Sequence, residues 1–243
     1  MRMKTGNGPR LMNENSIQRI ERPELISEQT YENIRHLIIN CQLQPGLPFV
    51  EADIARRLGI SRSPLREAVR RLEEEGFIET VDGRRRVAPI TAGKVLQLYE
   101  LRCVLEKHAA DKSEGLISRM ELERVTSRFD YIAAQLDENN VQPFNDADFE
   151  FHQLFIGRCG NPLMIAQLSR LEMQLRRVMN FFGRRVGHTK LAFQEHLEIV
   201  ETIRSPRPGA LGKAVEHHIL AVGRRVSEFV REKQDGGIGG DSE

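Results

Sequence analysis

A short stretch in the first third of the chain is rich in arginine. Between Arg56 and Arg71 there are six arginines and one acidic residue, Glu67. The net charge of the whole chain is only +1, so this positive charge is local. A nearly neutral protein with one basic segment is typical of local phosphate binding, although an exposed helix face has the same composition. The stretch therefore predicts either a nucleic-acid contact or a solvated helix.

A second group of residues has the chemistry to bind a divalent metal ion. Asp148 and His152 are four residues apart, so they share one face of a predicted helix. His196 lies in QEHLEIV and His218 in EHHIL, both in helical segments. One carboxylate and three imidazoles on three inward-facing helices suit such an ion and leave positions open for water or a ligand. Each residue also fits a simpler role, because acids are favoured in the first turn of a helix and a single histidine is more often structural.

The arginines fall on a predicted series of helices. Arg62, Arg66 and Arg70 are spaced by four, so they share one face of the third helix, where guanidinium groups can read guanine in the major groove. Ser63 is expected to cap this helix, with Pro64 at its first position. Helical spacing of apolar residues predicts three helices here, over residues 27–41, 51–58 and 64–75.

A β-hairpin is predicted directly after the third helix. Residues 77–81 alternate like a strand, Asp82-Gly83 is a turn signal, and residues 86–90 are the candidate partner strand. Three arginines, Arg84–Arg86, stand at the tip, where a wing meets the DNA backbone or minor groove. Helix, helix, tight turn, helix and hairpin is the order of a winged helix-turn-helix.

The rest of the chain is predicted to be helical. From Thr91 to about Glu232 five breaks divide a purely helical periodicity into six helices. The predicted fold class is therefore mainly α, with an N-terminal winged helix-turn-helix followed by an all-α six-helix bundle. The expected division is a disordered arm over 1–26, a DNA-binding domain over 27–90, a helical domain for effector binding and dimerisation over 91–233, and a disordered tail over 234–243.

Composition and missing motifs exclude several classes of protein. No apolar run approaches the ~20 residues that span a bilayer, and the N-terminus has no apolar signal core, so a cytoplasmic protein without membrane partners is expected. The three cysteines are widely spaced and indicate neither a disulfide framework nor a zinc ribbon. A metal site with an open position can activate water. No HExxH, GxSxG or P-loop motif accompanies it, so an enzyme is not expected.

The segment Glu51–Glu79, EADIARRLGISRSPLREAVRRLEEEGFIE, resembles the signature of GntR-type transcription regulators. The wider pattern is similar to the FadR-like branch of that family, whose second domain is an all-helical FCD effector domain. Two departures affect the DNA contacts. Ala52 stands where some members carry a DNA-contacting arginine, and the wing reads DGRRRV instead of the more usual glycine-spaced form. The resemblance implies that five residues contact operator DNA, namely Ser61, Arg62, Ser63, Arg66 and Gly83.

The resemblance also implies a metal site in the helical domain. FCD domains carry a D-x-x-x-H motif, then an EH pair, then a later histidine before an apolar residue, and these positions supply metal ligands. Asp148, His152, His196 and His218 match them. His217 would point about 100° away from His218 on an ideal helix and is left out. Zinc is the expected ion, with nickel or manganese as alternatives for mixed nitrogen and oxygen ligands.

The family further implies a small organic acid as effector, bound through its carboxylate at the metal. Arg102 matches a position where members carry an arginine near the pocket, and a guanidinium suits bidentate carboxylate binding. A salt bridge between Arg102 and Glu106, four residues on, is the alternative. A homodimeric repressor that reads a short palindromic operator in double-stranded DNA is expected. The competing hypotheses are a metal-free regulator with a pocket for an apolar or acyl ligand, and a non-specific architectural DNA binder.

Overall fold

The computed structural model describes residues 24–133, 142–182 and 186–237. Within these ranges it is mainly helical, and the predicted order of a winged helix-turn-helix followed by six helices is confirmed. The elements are α1 (Glu24–Ile39), α2 (Glu51–Leu58), α3 (Arg62–Glu74), β1 (Ile78–Val81), β2 (Arg84–Val87), α4 (Ala92–Ser113), α5 (Arg119–Ala133), α6 (Gln142–Ile156), α7 (Pro162–Phe182), α8 (Val186–Arg204) and α9 (Ala210–Gly237).

The first body, α1 to β2, is built around helix α3. The apolar residues of α3 repeat at helical spacing and form a fully buried stripe. Ile34 and Ile38 of α1 and Phe77 before β1 belong to the same hydrophobic cluster. The polar face of α3 is left in solvent. The buried residues of the stripe are Leu65, Ala68, Val69 and Leu72.

Helix α3 begins two residues earlier than the sequence predicted. Ser61 occupies the N-cap position and Arg62 is the first helical residue, so Ser63 lies inside the first turn and is not the cap. Pro64 is accommodated there because the first four amides of a helix have no acceptor within it. The prediction of a Ser63 cap was wrong for this reason.

The hairpin turns through two residues with positive φ. Asp82 has φ 50° and Gly83 has φ 73°, as a type I′ turn requires. Val81 pairs directly with Arg84, so β2 starts immediately after the turn and not at residue 86. The predicted partner strand was therefore placed too late in the chain.

The ends of the fold extend further than predicted. Helix α1 begins at Glu24, inside the expected disordered arm, and the buried Ser27 hydroxyl donates to Glu67 at 2.6 Å. Helix α9 continues through residues 234–237 of the expected tail. Gln234 donates to the carbonyl of Ile90 at 2.8 Å, which ties this end of α9 to the start of the second body. The remainder of the arm and of the tail lies outside the described residues.

The second body, α4 to α9, is an all-helical bundle. Helices α4 and α9 pack closely because Gly223 has no side chain; a Cβ there would lie 2.6 Å from Cβ of Tyr99. Phenylalanines of α5 and α6 fill the centre, including Phe129, Phe144 and Phe151, whose rings meet edge to face. None of the helices in the described ranges is both long and apolar enough to cross a membrane.

Helix α7 joins the two bodies. Three side chains on one of its faces donate hydrogen bonds to backbone carbonyls of the first body or of the connector that follows it. Two of these carbonyls belong to the C-terminal ends of helices, where no donor within the helix is available. These polar contacts, together with Met173 of α7, which packs against the hydrophobic cluster of the first body, hold the DNA-binding body to this helix. The donors are Gln174 to Glu75 at 2.7 Å, Arg177 to Ala88, and Asn180 to Ile39 at 2.9 Å.

Candidate metal centre and DNA-binding surface

Four buried side chains converge inside the second body. Asp148 and His152 lie one turn apart on α6, and His196 of α8 and His218 of α9 face them. One ligand atom from each side chain lies within 4.8 Å of all the others. The Nε2 atom of His152 is 3.3 Å from Nε2 of both His196 and His218. The four residues predicted as metal ligands are thus brought together.

Aromatic side chains hold one of these rings in place. His196 packs against Phe151 with ring centroids 4.7 Å apart, and against Phe129 at 5.1 Å. Both phenylalanines are buried in the same core. The low polarity of this wall excludes water from one side of the centre, which strengthens electrostatic interactions within it.

A buried glutamate and a partly buried one orient the other two histidines. Nδ1 of His152 donates to Glu106 at 2.5 Å, and Nδ1 of His218 donates to Glu195 at 2.9 Å. Each carboxylate accepts a hydrogen bond from Nδ1–H, which keeps the ring proton on Nδ1 and leaves Nε2 as the lone-pair nitrogen that points to the centre. Glu195 is itself held by two 2.7 Å bonds from Arg225. No local pattern in the sequence indicates these carboxylate partners, apart from the position of Glu195 beside His196.

The charge states suit metal binding. Burial lowers the pKa of His218 to about 4, so its ring is neutral at pH 7, which is the form that ligates a metal. Burial alone would raise the pKa of Glu106, but Arg102 and His152 outweigh it and lower the pKa to about 2. The pKa of Glu195 is likewise lowered to about 2, because bonds from His218 and Arg225 outweigh the effect of burial.

The geometry passes a simple fit test for a bound cation. Zinc binds histidine nitrogen at about 2.0–2.1 Å, so two ligands on a tetrahedral ion are about 3.3–3.4 Å apart. The separations of 3.3 Å between His152 and its two histidine neighbours agree with this, as does the 3.3 Å between Nε2 of His196 and Oδ1 of Asp148. A buried carboxylate with three imidazoles is a donor set for a divalent transition metal.

Arg102 makes the salt bridge that the sequence offered as the alternative. Its Nε lies 2.5 Å from Oε1 of Glu106, and both side chains are buried. The space beside Arg102 and His152 has a volume of about 10 Å³, enough for one water molecule. A carboxylate effector at Arg102 must therefore share the guanidinium with Glu106 and widen this space.

The residues predicted to contact DNA are all exposed, on α3 or the residue before it and on the hairpin turn. Arg62 and Arg66, in the first half of α3, form no ion pair with any described residue. Arg70 pairs with Glu74 at 2.9 Å on the solvent side, a contact that exposed phosphate can replace because such pairs are weak. The exposed residues of this set are Ser61, Arg62, Ser63, Arg66, Arg70, Gly83 and Arg84.

The three wing arginines have different environments. Arg85 turns inward to Glu73, at 3.0 Å, and to Glu51. Arg86 pairs with Glu79 at 2.6 Å. All three arginines were expected at the wing tip, where a wing meets the DNA backbone or minor groove. In the structure only Arg84 of the three is exposed there without an ion pair to a described residue.

Comparison with known proteins decides the family. Residues 26–87 match the family model described as "Bacterial regulatory proteins, gntR family", and residues 97–221 match the FCD domain. The chain belongs to the GntR family. All four candidate metal ligands lie within the part that matches the FCD domain.

GntR-family relatives of similar length are distant in sequence. The transcriptional repressor RspR of Escherichia coli strain K12 is 23% identical over 211 residues, which cover 86% of this chain and 92% of RspR. The transcriptional repressor NanR of Cronobacter sakazakii is 24% identical over 223 residues, covering 81% of this chain and 84% of NanR. These proteins are transcription regulators and not enzymes, so this GntR-family chain is a DNA-binding transcription regulator with a helical FCD effector domain.

Solved structures share the same fold. The E. coli protein McbR/YncC has a TM-score of 0.64 and 12% identity, covering 86% of this chain and 98% of McbR. A GntR regulator from Rhodococcus sp. RHA1 has a TM-score of 0.66 and 18% identity, and the match covers 82% of this chain and 96% of the Rhodococcus chain. At these identities the likeness establishes the fold alone.

Proposed function

We propose that this GntR-family regulator is a homodimeric, cytoplasmic repressor controlled by a small organic acid that binds at a metal site. The ligands are Asp148, His152, His196 and His218, and zinc is the proposed ion. Operator reading is assigned to residues 27–90, and effector binding and dimerisation to residues 91–233. The observation that carries the proposal is the convergence of four ligand atoms within 4.8 Å inside the FCD domain.

The buried carboxylate favours a metal over a purely apolar ligand pocket. Asp148 is 2% exposed and lies beside three histidine rings and near the Arg102 guanidinium, a position where a bound divalent cation would further stabilise its charge. The glutamates behind His152 and His218 are the partners that metal-bound histidines commonly have. A bound divalent ion would supply a Lewis-acidic position for the carboxylate of an effector.

The link from effector to DNA is proposed to run through α7. Leu168, Leu171 and Leu175 of this helix line the small space beside His152. An organic acid is larger than the single water that this space holds, so its binding would move one of the walls, and α7 is proposed as the wall that moves. The polar face of the same helix holds the first body through the donors from Gln174 to Asn180. The size of the shift in the DNA-bound population is set by the difference between the effector's affinities for the two arrangements of α7.

A dimer accounts for an exposed apolar face on α4. Leu101 is 52% exposed and Val104 is 67% exposed, one turn apart on that helix. A second copy that covers this face would present two α3 helices to DNA, each in one half-site of a palindrome. Two relatives, RspR and NanR, are named repressors, so repression relieved by the effector is the proposed direction.

The test combines operator selection with a panel of acids. Duplexes of random sequence are selected with the zinc-loaded full chain, and affinity for the selected duplex is measured with mono- and dicarboxylates of two to six carbons. We expect a palindromic site, and at least one acid that weakens binding by about tenfold or more, a coupling of about 1.4 kcal/mol. The same acid should have no effect on the His196→Ala variant. Absence of sequence preference, or equal affinity with every acid, would contradict the proposal.

A further inference from the structure

A large cavity lies between the DNA-binding body and the helical body, away from the metal ligands. Its volume is about 540 Å³, within the range of about 300–1,000 Å³ that is common for small-molecule sites. The walls come from the end of α3, strand β1, the connector between the bodies, and helices α4 and α7. Ile78, Ile90 and Leu98 supply apolar surface. None of the four candidate metal ligands lines it.

Arg177 of α7 lines this cavity and is a buried cation without a counter-ion. The residue is 2% exposed, and it forms no ion pair with any residue in the described ranges. One Nη group donates to the Ala88 carbonyl, and the Nε–H has no partner among those same residues. Burial lowers the pKa of Arg177 to about 10, so the guanidinium still carries its charge at pH 7.

The acidic residues around the cavity are engaged elsewhere. Each of the three glutamates in the wall has its own donor, and none of them forms an ion pair with Arg177, although Glu79 is near enough to favour its charged form. The cavity therefore contains a positive charge that forms no direct ion pair within the described ranges, beside apolar walls. The pairs are Glu73 with Arg85 at 3.0 Å, Glu75 with the Tyr31 hydroxyl at 2.8 Å, and Glu79 with Lys94 at 3.0 Å.

A buried, unpaired charge is unfavourable, and an anion that reaches it recovers the cost of its desolvation. A guanidinium binds a carboxylate or sulfonate through two parallel N–H donors, and Arg177 has its Nε–H available for this. The apolar walls favour a hydrocarbon or aromatic body on the same molecule. An anionic group for Arg177 and an apolar body for the walls together describe an amphipathic anion. The acid proposed for the metal centre is, by contrast, small and polar.

We propose that this cavity is a second ligand site, which binds an amphipathic organic anion through Arg177 and holds its apolar part between Ile78, Ile90 and Leu98. The ligand contacts both bodies at once. It also competes with the Ala88 carbonyl for Arg177, so it changes the contact that connects α7 to the wing. Occupancy of this site therefore controls the orientation of the DNA-binding body independently of the metal centre.

The test uses 8-anilinonaphthalene-1-sulfonate, a fluorescent amphipathic anion, as the probe on the zinc-loaded full chain. We expect one saturable site per chain, with displacement by octanoate and not by octan-1-ol. Arg177→Gln should weaken binding by about tenfold or more, because an ion pair is lost. Arg177→Lys keeps the charge and should retain part of the affinity. The matched control is Arg170→Gln, an exposed arginine on the same helix outside the cavity, which should bind like the wild type.

Two further variants test where the probe binds. Gln97→Glu places a negative charge at the exposed mouth of the cavity without disturbing the core, so it should also weaken binding even if Arg177→Gln does not fold. Asp148→Ala removes a proposed metal ligand and should leave probe affinity unchanged. The proposal is overturned if Arg177→Gln and Gln97→Glu bind like the wild type, if octanol displaces the probe as well as octanoate, or if Asp148→Ala abolishes binding.

Discussion

The side chain of Glu106 lies between Arg102 and His152 and bonds to both. Oε1 accepts from Nε of Arg102 at 2.5 Å, and Oε2 accepts from Nδ1 of His152 at 2.5 Å. All three side chains are buried. A residue from α4 therefore fixes the direction in which a proposed metal ligand on α6 points.

Replacing this carboxylate should weaken metal binding without removing a ligand. Glu106→Gln keeps the size of the side chain and loses the negative charge that accepts the hydrogen bond from Nδ1–H of His152. We expect zinc affinity to fall by about 10- to 100-fold, as is usual for such partners. The measurement is a competition titration with a chromophoric chelator, with circular dichroism to verify folding. Glu123→Gln is the matched control, since Glu123 is exposed and bonds to Arg119; equal affinities of the two variants would rule out this role of Glu106.

Adjacent histidines on α9 should differ sharply. The His218 side chain is 1% exposed and faces the centre, whereas that of His217 is 65% exposed and lies 4.0 Å from Glu198. His218→Ala removes a ligand, so its zinc affinity should fall by more than the roughly 100-fold typical of losing an outer partner. His217→Ala should bind zinc like the wild type in the same titration. Similar losses in both variants would mean that the wrong member of the pair was assigned.

Local sequence patterns were sufficient to predict the elements but not all of their ends. The stripe from Leu65 to Leu72 predicts α3 because one face of a helix must be apolar to pack. The start of α3 was misplaced because Pro64 is tolerated at more than one position of a first turn. Turn type fixed the start of β2, and the pattern of apolar residues alone does not contain that information.

Residue chemistry offered the four candidate metal ligands as one of two interpretations, and family resemblance selected them as a set; their carboxylate partners were not predictable. The Asp148 and His152 pair is local, but His196 and His218 come from other helices. Glu106 is 46 residues from His152, and Glu195 is 23 residues from His218. Contacts over such separations depend on how helices pack, and a single sequence does not specify that packing.

The reading helix should account for sequence preference. Arg62 and Arg66 are exposed on α3 and unpaired within the described residues, so they are available to guanine edges. Alanine at either position should cost about 1–3 kcal/mol of operator binding and relax preference at one base pair. Binding is measured by fluorescence anisotropy on the selected site and on single-base variants. Arg119→Ala, on α5, is the control and should be neutral; uniform weakening on every sequence would reassign these arginines to phosphate contacts.

The wing should contribute charge and little sequence preference. Arg84→Ala removes the one wing arginine that is exposed and unpaired within the described chain, so the slope of log affinity against log salt should become shallower by about 1. Arg85→Ala breaks the bonds to Glu73 and Glu51, so it should lower the thermal midpoint and leave the slope unchanged. Salt titrations and thermal unfolding of both variants separate the two effects. A reduced slope for Arg85→Ala alone would assign the phosphate contact to that residue.

The central claim, a metal site in the FCD domain, is tested most directly by metal analysis of the full chain. The protein is purified without chelator or immobilised nickel, beside Asp148→Ala and His196→Ala, and its metal content is measured by inductively coupled plasma mass spectrometry. We predict about one equivalent of metal per wild-type chain, lost in both variants while circular dichroism shows an intact helical fold. A wild-type chain that carries no metal and takes up none when zinc, nickel or manganese is added would contradict the account.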